Sequence, residues 1–209
     1  MWEFHCAGAL SALTYMHNRE LMHCDLKPAN MVIRQDILQL CDFGLATFLC
    51  NKQPLDDEVL KKHGVRLVTL HYRAVELLLG DMDYGLPIDI WSMGCVVAEM
   101  LLKEQLFSGA TVTSMLQSIF GCLGLPSGVD GCDMQYIAGL PRYTSACIKC
   151  KDASAEVFAT RMLRAVGPGV HEWLRLLLAF RMRQRLTAAS AQAMLTRTLG
   201  ITFPTRCGY

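Results

Sequence analysis

His23-Cys24-Asp25-Leu26-Lys27-Pro28-Ala29-Asn30, followed at a short interval by Asp42-Phe43-Gly44, is the stretch that organises this chain. Asp25 can accept a proton from an attacking hydroxyl, and Lys27 sets a fixed positive charge two residues away. Asn30 and Asp42 offer hard oxygen donors, which suit Mg²⁺ better than soft ligands would. A positioned hydroxyl, a metal on the phosphates and cationic charge on the transferred group are the parts that phosphoryl transfer needs.

Around this stretch, the periodicity predicts a mainly helical chain. Trp2, Cys6, Ala9, Leu10, Leu13 and Met16 recur at helical spacing, with Asn18 as a stop. Met31-Val32-Ile33 and Ile37-Leu38-Gln39-Leu40 read as two short strands around Arg34-Gln35-Asp36. Such a hairpin presents Asn30 at one chain end and Asp42 at the other, so the two hard donors converge. Gly44 allows a sharp turn after them. Residues 45–68 read as a loop, with Pro54 as a breaker. Pro87 to Leu102 is apolar on most sides and predicts a centrally buried helix, with Pro87 in its first turn. A further helix runs from Thr111 to Leu123, and the Gly- and Pro-bearing stretch from Gly124 to Tyr143 reads as loop. Residues 154–166 and 170–180 predict two helices broken by Gly167-Pro168-Gly169, and Thr187 predicts the N-cap of a last helix.

Composition bounds the rest. A chain of 209 residues that is 52% hydrophobic and 19% charged suits one globular domain. A net charge of +1 gives no electrostatic case for nucleic acid or an anionic membrane surface. No apolar run is long enough to span a bilayer, and Met1-Trp2-Glu3-Phe4-His5 does not open a signal peptide. The ten cysteines form no secreted framework, and the lone Cys147-x-x-Cys150 has no second pair to complete a zinc site. Free thiols point to a reducing, intracellular setting, cytoplasm or nucleus.

The two motifs resemble the catalytic loop and the metal-binding turn of eukaryotic protein kinases, in the order that family uses. Leu67-Val68-Thr69-Leu70-His71-Tyr72-Arg73-Ala74-Val75-Glu76 looks like the end of the activation segment of cyclin-dependent kinases, with Val75 where they usually carry proline. Asp89-Ile90-Trp91-Ser92-Met93-Gly94-Cys95 resembles the central helix of the kinase large lobe. The resemblance implies a mainly α, kinase-like large lobe over residues 1–196 with a short catalytic-loop β-hairpin, a tail over 197–209, and the small lobe absent.

It also implies roles for individual residues. Asp25 matches the catalytic base, Lys27 the lysine that stabilises the transferred phosphoryl group, and Asn30 and Asp42 the Mg²⁺ ligands. Val32 matches the apolar floor under adenine, and Cys41 faces the nucleotide pocket. Lys27 and Thr69 together look like the serine/threonine class. Glu76 and Arg185 match a structural ion pair, and Asp89 matches an aspartate that holds the catalytic-loop backbone. The implied cofactors are ATP and Mg²⁺, and the implied partner is a protein with a Ser or Thr acceptor. No membrane or nucleic-acid partner is implied. A cyclin-type regulator cannot be argued from these residues, because the family's main cyclin-contacting helix lies in the small lobe.

Three positions depart from the pattern. Cys24 stands where an arginine usually precedes the catalytic aspartate, and in many kinases that arginine grips a phosphate on the activation segment. Thr47 stands where a second such arginine is common, and alignment back from Thr69 puts the usual threonine acceptor near Gly64. A phosphate-driven switch has therefore lost its acceptor and much of its receptor. A Gly-rich loop, a strand lysine with its glutamate and a hinge are missing from these residues. Two function classes follow. One is a Ser/Thr kinase truncated at its N-terminus; the other is a non-catalytic interaction module made of the large lobe alone.

Overall fold

The computed structural model describes residues 2–35, 37–51, 70–124, 132–143 and 156–200. Helix α1 spans Trp2–His17 and buries Cys6, Ala9, Leu10, Leu13 and Met16, the predicted face. Strand β1 (Leu21–Met22) follows, then a one-turn 3₁₀ helix at Pro28–Asn30. Strands β2 (Met31–Arg34) and β3 (Ile37–Leu40) form the expected antiparallel hairpin, with Met31 opposite Leu40 and Arg34 opposite Ile37. Strand β4 (Thr47–Phe48) pairs back onto β1, Leu21 opposite Phe48 and Met22 opposite Thr47, and a 3₁₀ turn at Leu49–Asn51 follows it. The stretch read as a loop from residue 45 therefore contains a strand. Two residues of pairing leave no periodic signature, so only the long-range partner could reveal it.

Helix α2 (Val75–Leu79) ends on Gly80, whose φ of 85° lies in the left-handed region that glycine enters without steric cost. Helix α3 (Pro87–Leu102) is the centre of the molecule. Every residue from Ile88 to Ala98 is buried, as an all-round apolar helix requires. Helix α4 (Val112–Leu123) begins with a capping box between Thr111 and Ser114. Helix α5 (Cys132–Ala138) lies inside the stretch that the sequence suggested was loop. Ile137 buries there and Tyr136 bonds the Asp81 carboxylate, so tertiary contacts hold a segment whose composition argues otherwise. Helix α6 (Glu156–Leu177) is broken at Gly167, φ 76°, with Pro168 restarting it. The last helix, α7 (Ala188–Leu199), is capped by Thr187 at its start and by left-handed Gly200 at its end.

The core joins α3 to α6, and α1 to α7 and β3. Trp91, Trp173, Phe107 and Phe120 are fully buried in it, and the Trp173 indole N–H donates to the Ala191 carbonyl at 2.8 Å. Each fully buried Leu, Ile or Phe of such a core contributes roughly 1.5–3 kcal/mol. Gly94 lets α3 approach residues 177–178, since a Cβ there would stand 2.9 Å from Leu178 Cδ2. Among the described residues no helix is long and apolar enough to cross a membrane.

One ion pair ties the start of α2 to the segment before α7. Arg185 Nη1 and Nη2 each donate to Glu76 at 2.6 Å, and both side chains are wholly buried. The other N–H groups of the guanidinium meet the carbonyls of Ala179, Pro87 and Phe180, and the group also stacks on Trp91 at 4.9 Å. Every donor of the arginine is thus used, the condition under which a buried pair is held without an unpaired charge. Removing one partner leaves the other charged and dry. Arg185→Met is expected to lower unfolding stability by about 3–5 kcal/mol in urea titrations. The double change Glu76→Met with Arg185→Met should recover most of that loss.

Candidate active site

The site is assembled from three loops at one edge of the helical body. Asp25 follows β1, Asn30 closes the 3₁₀ turn, and Asp42 follows β3. The hairpin register brings the last two together, because the Cys41 amide donates to the Asn30 carbonyl at 3.0 Å. Asn30 Nδ2 donates to the Asp25 carbonyl at 2.8 Å and to its Oδ2 at 3.2 Å. Lys27 Nζ lies 2.7 Å from the same Oδ2. Among the described residues no contact falls on Oδ1, which leaves that oxygen to receive a proton.

Asn30 spends its amide nitrogen on Asp25, so its side-chain oxygen remains for a cation. Asp42 is exposed, and among the described residues its only side-chain bond is a long one from the Gly44 amide, 3.4 Å. Two oxygen donors on adjacent strand ends make an incomplete cage. Among the described residues no cluster of three His, Cys, Asp or Glu could hold a metal by itself. That donor set fits Mg²⁺, which keeps several waters and shares its shell with phosphate oxygens, and fits poorly with metals that demand a closed protein cage. Val32 and Ile33 on β2 and Phe43 are about half exposed, an apolar rim beside the carboxylates. Thr69 lies outside the described residues.

Sequence reading gave His23 no role, yet it is the internal link of the site. The ring is fully buried. Nε2 meets the Cys41 carbonyl at 3.2 Å, and Nδ1 faces the Asp25 amide at 3.4 Å. A carbonyl can only accept and an amide can only donate, so the network assigns the proton to Nε2. The imidazole thus ties Asp25 to the residue before Asp42, and Phe43 tilts against it at 5.2 Å. His17 was missed as well; its partner, Asp89, lies 72 residues away. Asp89 does hold the loop: its Oδ2 accepts from the His23 amide and its Oδ1 from the Cys24 amide, both at 2.9 Å.

Two of the three departing positions, Cys24 and Thr47, lie close together. Met22 pairs with Thr47, which sets Thr47 beside the strand that leads into Cys24. Burial pushes the Cys24 thiol well above the ordinary range, and the Asp89 and Asp25 charges add to this against the Thr47 contribution. The strand pairing, Leu21 with Phe48 and Met22 with Thr47, joins the segment before Cys24 to the one after Gly44, and the thiol beside it brings no charge.

The protein kinase domain family matches residues 2–195. The chain belongs to the protein kinase family. Cell division control protein 2 homolog 1 of Trypanosoma brucei brucei is 36% identical over 187 residues, 87% of this chain and 60% of that protein. Cyclin-dependent kinase G-2 of Oryza sativa subsp. indica is 41% identical over 119 residues, 56% of this chain and 16% of that protein. The crystal structure of the yeast RNA Pol II CTD kinase CTDK-1 complex superposes with a TM-score of 0.77 at 25% identity, covering 91% of this chain and 60% of that one. The chain thus resembles cyclin-dependent kinases and spans less than two thirds of the length of these relatives. The mainly helical, large-lobe architecture expected from the two motifs is the observed one.

The thiol contrast can be checked directly. Thiolate is the reactive form, so brief alkylation of the native protein at pH 8 should label exposed Cys50 and spare Cys24 and Cys6. Peptide mass mapping reads the result, and unfolding in urea should make all three reactive.

Proposed function

We propose that this chain is the catalytic large lobe of a cyclin-dependent-kinase-like domain that transfers phosphate from ATP to serine or threonine hydroxyls of proteins. The observation that carries the reading is the Asp25 carboxylate held at Oδ2 by Lys27 and Asn30 while Oδ1 stays free of contacts among the described residues. Bound Mg²⁺-ATP supplies the phosphoryl group and neutralises charge on its oxygens.

The protein groups divide the remaining work. Asp25 orients the acceptor hydroxyl and takes its proton as the new ester bond forms. Lys27 balances the negative charge that gathers on the transferred group. Asn30 holds Asp25 by its amide nitrogen and offers its oxygen, with Asp42, to the cation. Val32 would supply the apolar floor for the adenine, and Thr69 would join Asp25 and Lys27 in positioning the acceptor. Residues 1–196 form the lobe and 197–209 a tail, with the segment that closes over the nucleotide supplied from outside these 209 residues. A cyclin-type protein is the regulator this class uses, and the cytoplasm or nucleus is where the free thiols are stable.

Labelled phosphate transfer to a generic protein acceptor tests the reading, using the natural polypeptide that carries these residues. Asp25→Asn should lower kcat by about 10²–10⁴-fold, and Asp42→Asn should raise the Mg²⁺ requirement. Equal incorporation by the Asp25 variant would refute the assignment. A wild-type protein with no transfer would favour the non-catalytic interaction module.

The reading includes a statement on control. With Cys24 and Thr47 standing where phosphate-gripping arginines are common, no phosphate at the usual acceptor position is needed to order the segment. Gly64, at that position, lies outside the described residues. Phosphatase treatment of the purified protein should leave its activity unchanged. A stoichiometric phosphate on residues 45–69 that raises activity sinks this part of the proposal.

A further inference from the structure

Helix α2 is too short to hold itself. It has five residues, and so short a helix is not stable alone in water. The buried Glu76–Arg185 pair fastens its first turn. One fastening leaves a short helix free to tilt about it. A second is needed at the other end, and the chain places Asp81 there, directly after left-handed Gly80.

An aspartate has the wrong charge for that place, because the end of a helix is the negative pole of its peptide dipoles. Both of its oxygens are nevertheless matched by donors. Oδ1 accepts from the Asp83 amide at 2.8 Å, which closes the turn at 81–83, and Oδ2 accepts from the Tyr136 hydroxyl. Tyr136 comes from α5, 55 residues further along the chain. Burial pushes its phenol well above the ordinary range, and the Asp81 acceptor and the Asp81 and Glu76 charges add to this against the pull of Arg185. The hydroxyl therefore keeps its proton and donates it to the carboxylate. The same segment meets the end of α2 twice more. The Arg142 amide donates to the Leu79 carbonyl at 3.0 Å, and a Cβ on Gly80 would stand 3.6 Å from Pro141 Cβ. Ile137, next to Tyr136, is buried. Apolar burial draws α5 inward without fixing its direction, whereas the hydroxyl bond has a direction.

A 3₁₀ turn at Leu70–Tyr72 runs into α2 through Arg73 and Ala74. It is pinned on α3 at Tyr72, whose hydroxyl donates to Glu99 at 2.6 Å and whose carbonyl accepts from Ser92 Oγ at 2.7 Å. A turn pinned at one residue can still rotate about it, so the lie of α2 sets its direction.

We infer that Tyr136 and Asp81 are positioning residues for the acceptor side of the proposed phosphoryl transfer: their hydrogen bond latches the end of α2 to α5 and so fixes the turn at Leu70–Tyr72. The consequence for catalysis rests on the kinase reading above, while the latch itself stands apart from any activity. Among the described residues the side-chain hydrogen bonds of Asp25, Lys27, Asn30 and Asp42 involve neither member of the latch. Its loss should therefore weaken acceptor binding and leave the chemical step in place.

Two measurements on the natural polypeptide decide the matter. Hydrogen exchange at the amides of Leu78, Gly80, Asp81 and Arg142, each hydrogen-bonded in the fold, should be about tenfold faster in Tyr136→Phe, with α1 unchanged. Asp81→Ala should act on the same amides, and the double variant should stay within about twofold of the faster single one, since either change opens the same bond. Steady-state kinetics of Tyr136→Phe should show the acceptor KM rising about fivefold, with kcat and the KM for ATP within about twofold. If Tyr136→Phe does not fold, Asp81→Ala takes its place in both measurements. Unchanged exchange at the four amides overturns the latch, as do effects of the two substitutions that multiply. Faster exchange with an unchanged acceptor KM overturns the positioning role. An inactive wild-type protein overturns the kinase reading instead, and exchange then still decides whether Tyr136 holds α2.

Discussion

A negative charge buried inside the most apolar helix of the chain is the constraint on which the structure turns. Asp89 cannot be solvated where it sits, so its charge must be matched by N–H groups brought to it. Those groups are the backbone of the catalytic loop and the end of α1. The helix that forms the core therefore also dictates where the loop lies, and the loop dictates where Asp25 lies. The carbonyl of Pro87, two residues before, accepts from Arg185, so the same helical turn anchors the α2–α7 side of the lobe. Packing and chemistry meet within one turn of helix.

Much of this was legible because the relevant signals are local. The motif from His23 to Asn30 with Asp42-Phe43-Gly44 carries its chemistry in residue types at fixed spacing. The apolar periodicity of α1, the all-round apolarity of α3, the Gly167-Pro168 break and the Thr187 cap are each properties of a short window. Even the Glu76–Arg185 pair and the hold of Asp89 on the loop were reachable through the family resemblance.

What escaped was non-local or too short to have a period. The β1–β4 bridge is two residues on each side, and its energy lies in a partner some 26 residues away by the register of Leu21 with Phe48 and Met22 with Thr47. Helix α5 is seven residues long, in a stretch rich in breakers, and is held by Tyr136 and Ile137 against distant elements. A histidine at a helix end reads as a favourable charge near the dipole. That His17 is a ligand of Asp89, and His23 a bridge between two loops, follows only from the packed arrangement.

The His23 bridge also says where the site divides. Its imidazole is buried and fastened to Cys41 on one side and to the Asp25 amide on the other. Cys41 is therefore fastened to the catalytic loop through a buried ring. Asp42 comes next, a non-glycine residue with φ 62°, and Phe43 beyond it is half exposed. The left-handed torsion lies at Asp42, just past that fastening, and among the described residues the hydrogen bond to its carboxylate is the long one from the Gly44 amide. The hydrogen-bonded half of the site and its exposed half therefore meet at a single residue boundary, with Asp25 on one side of it and Asp42 on the other.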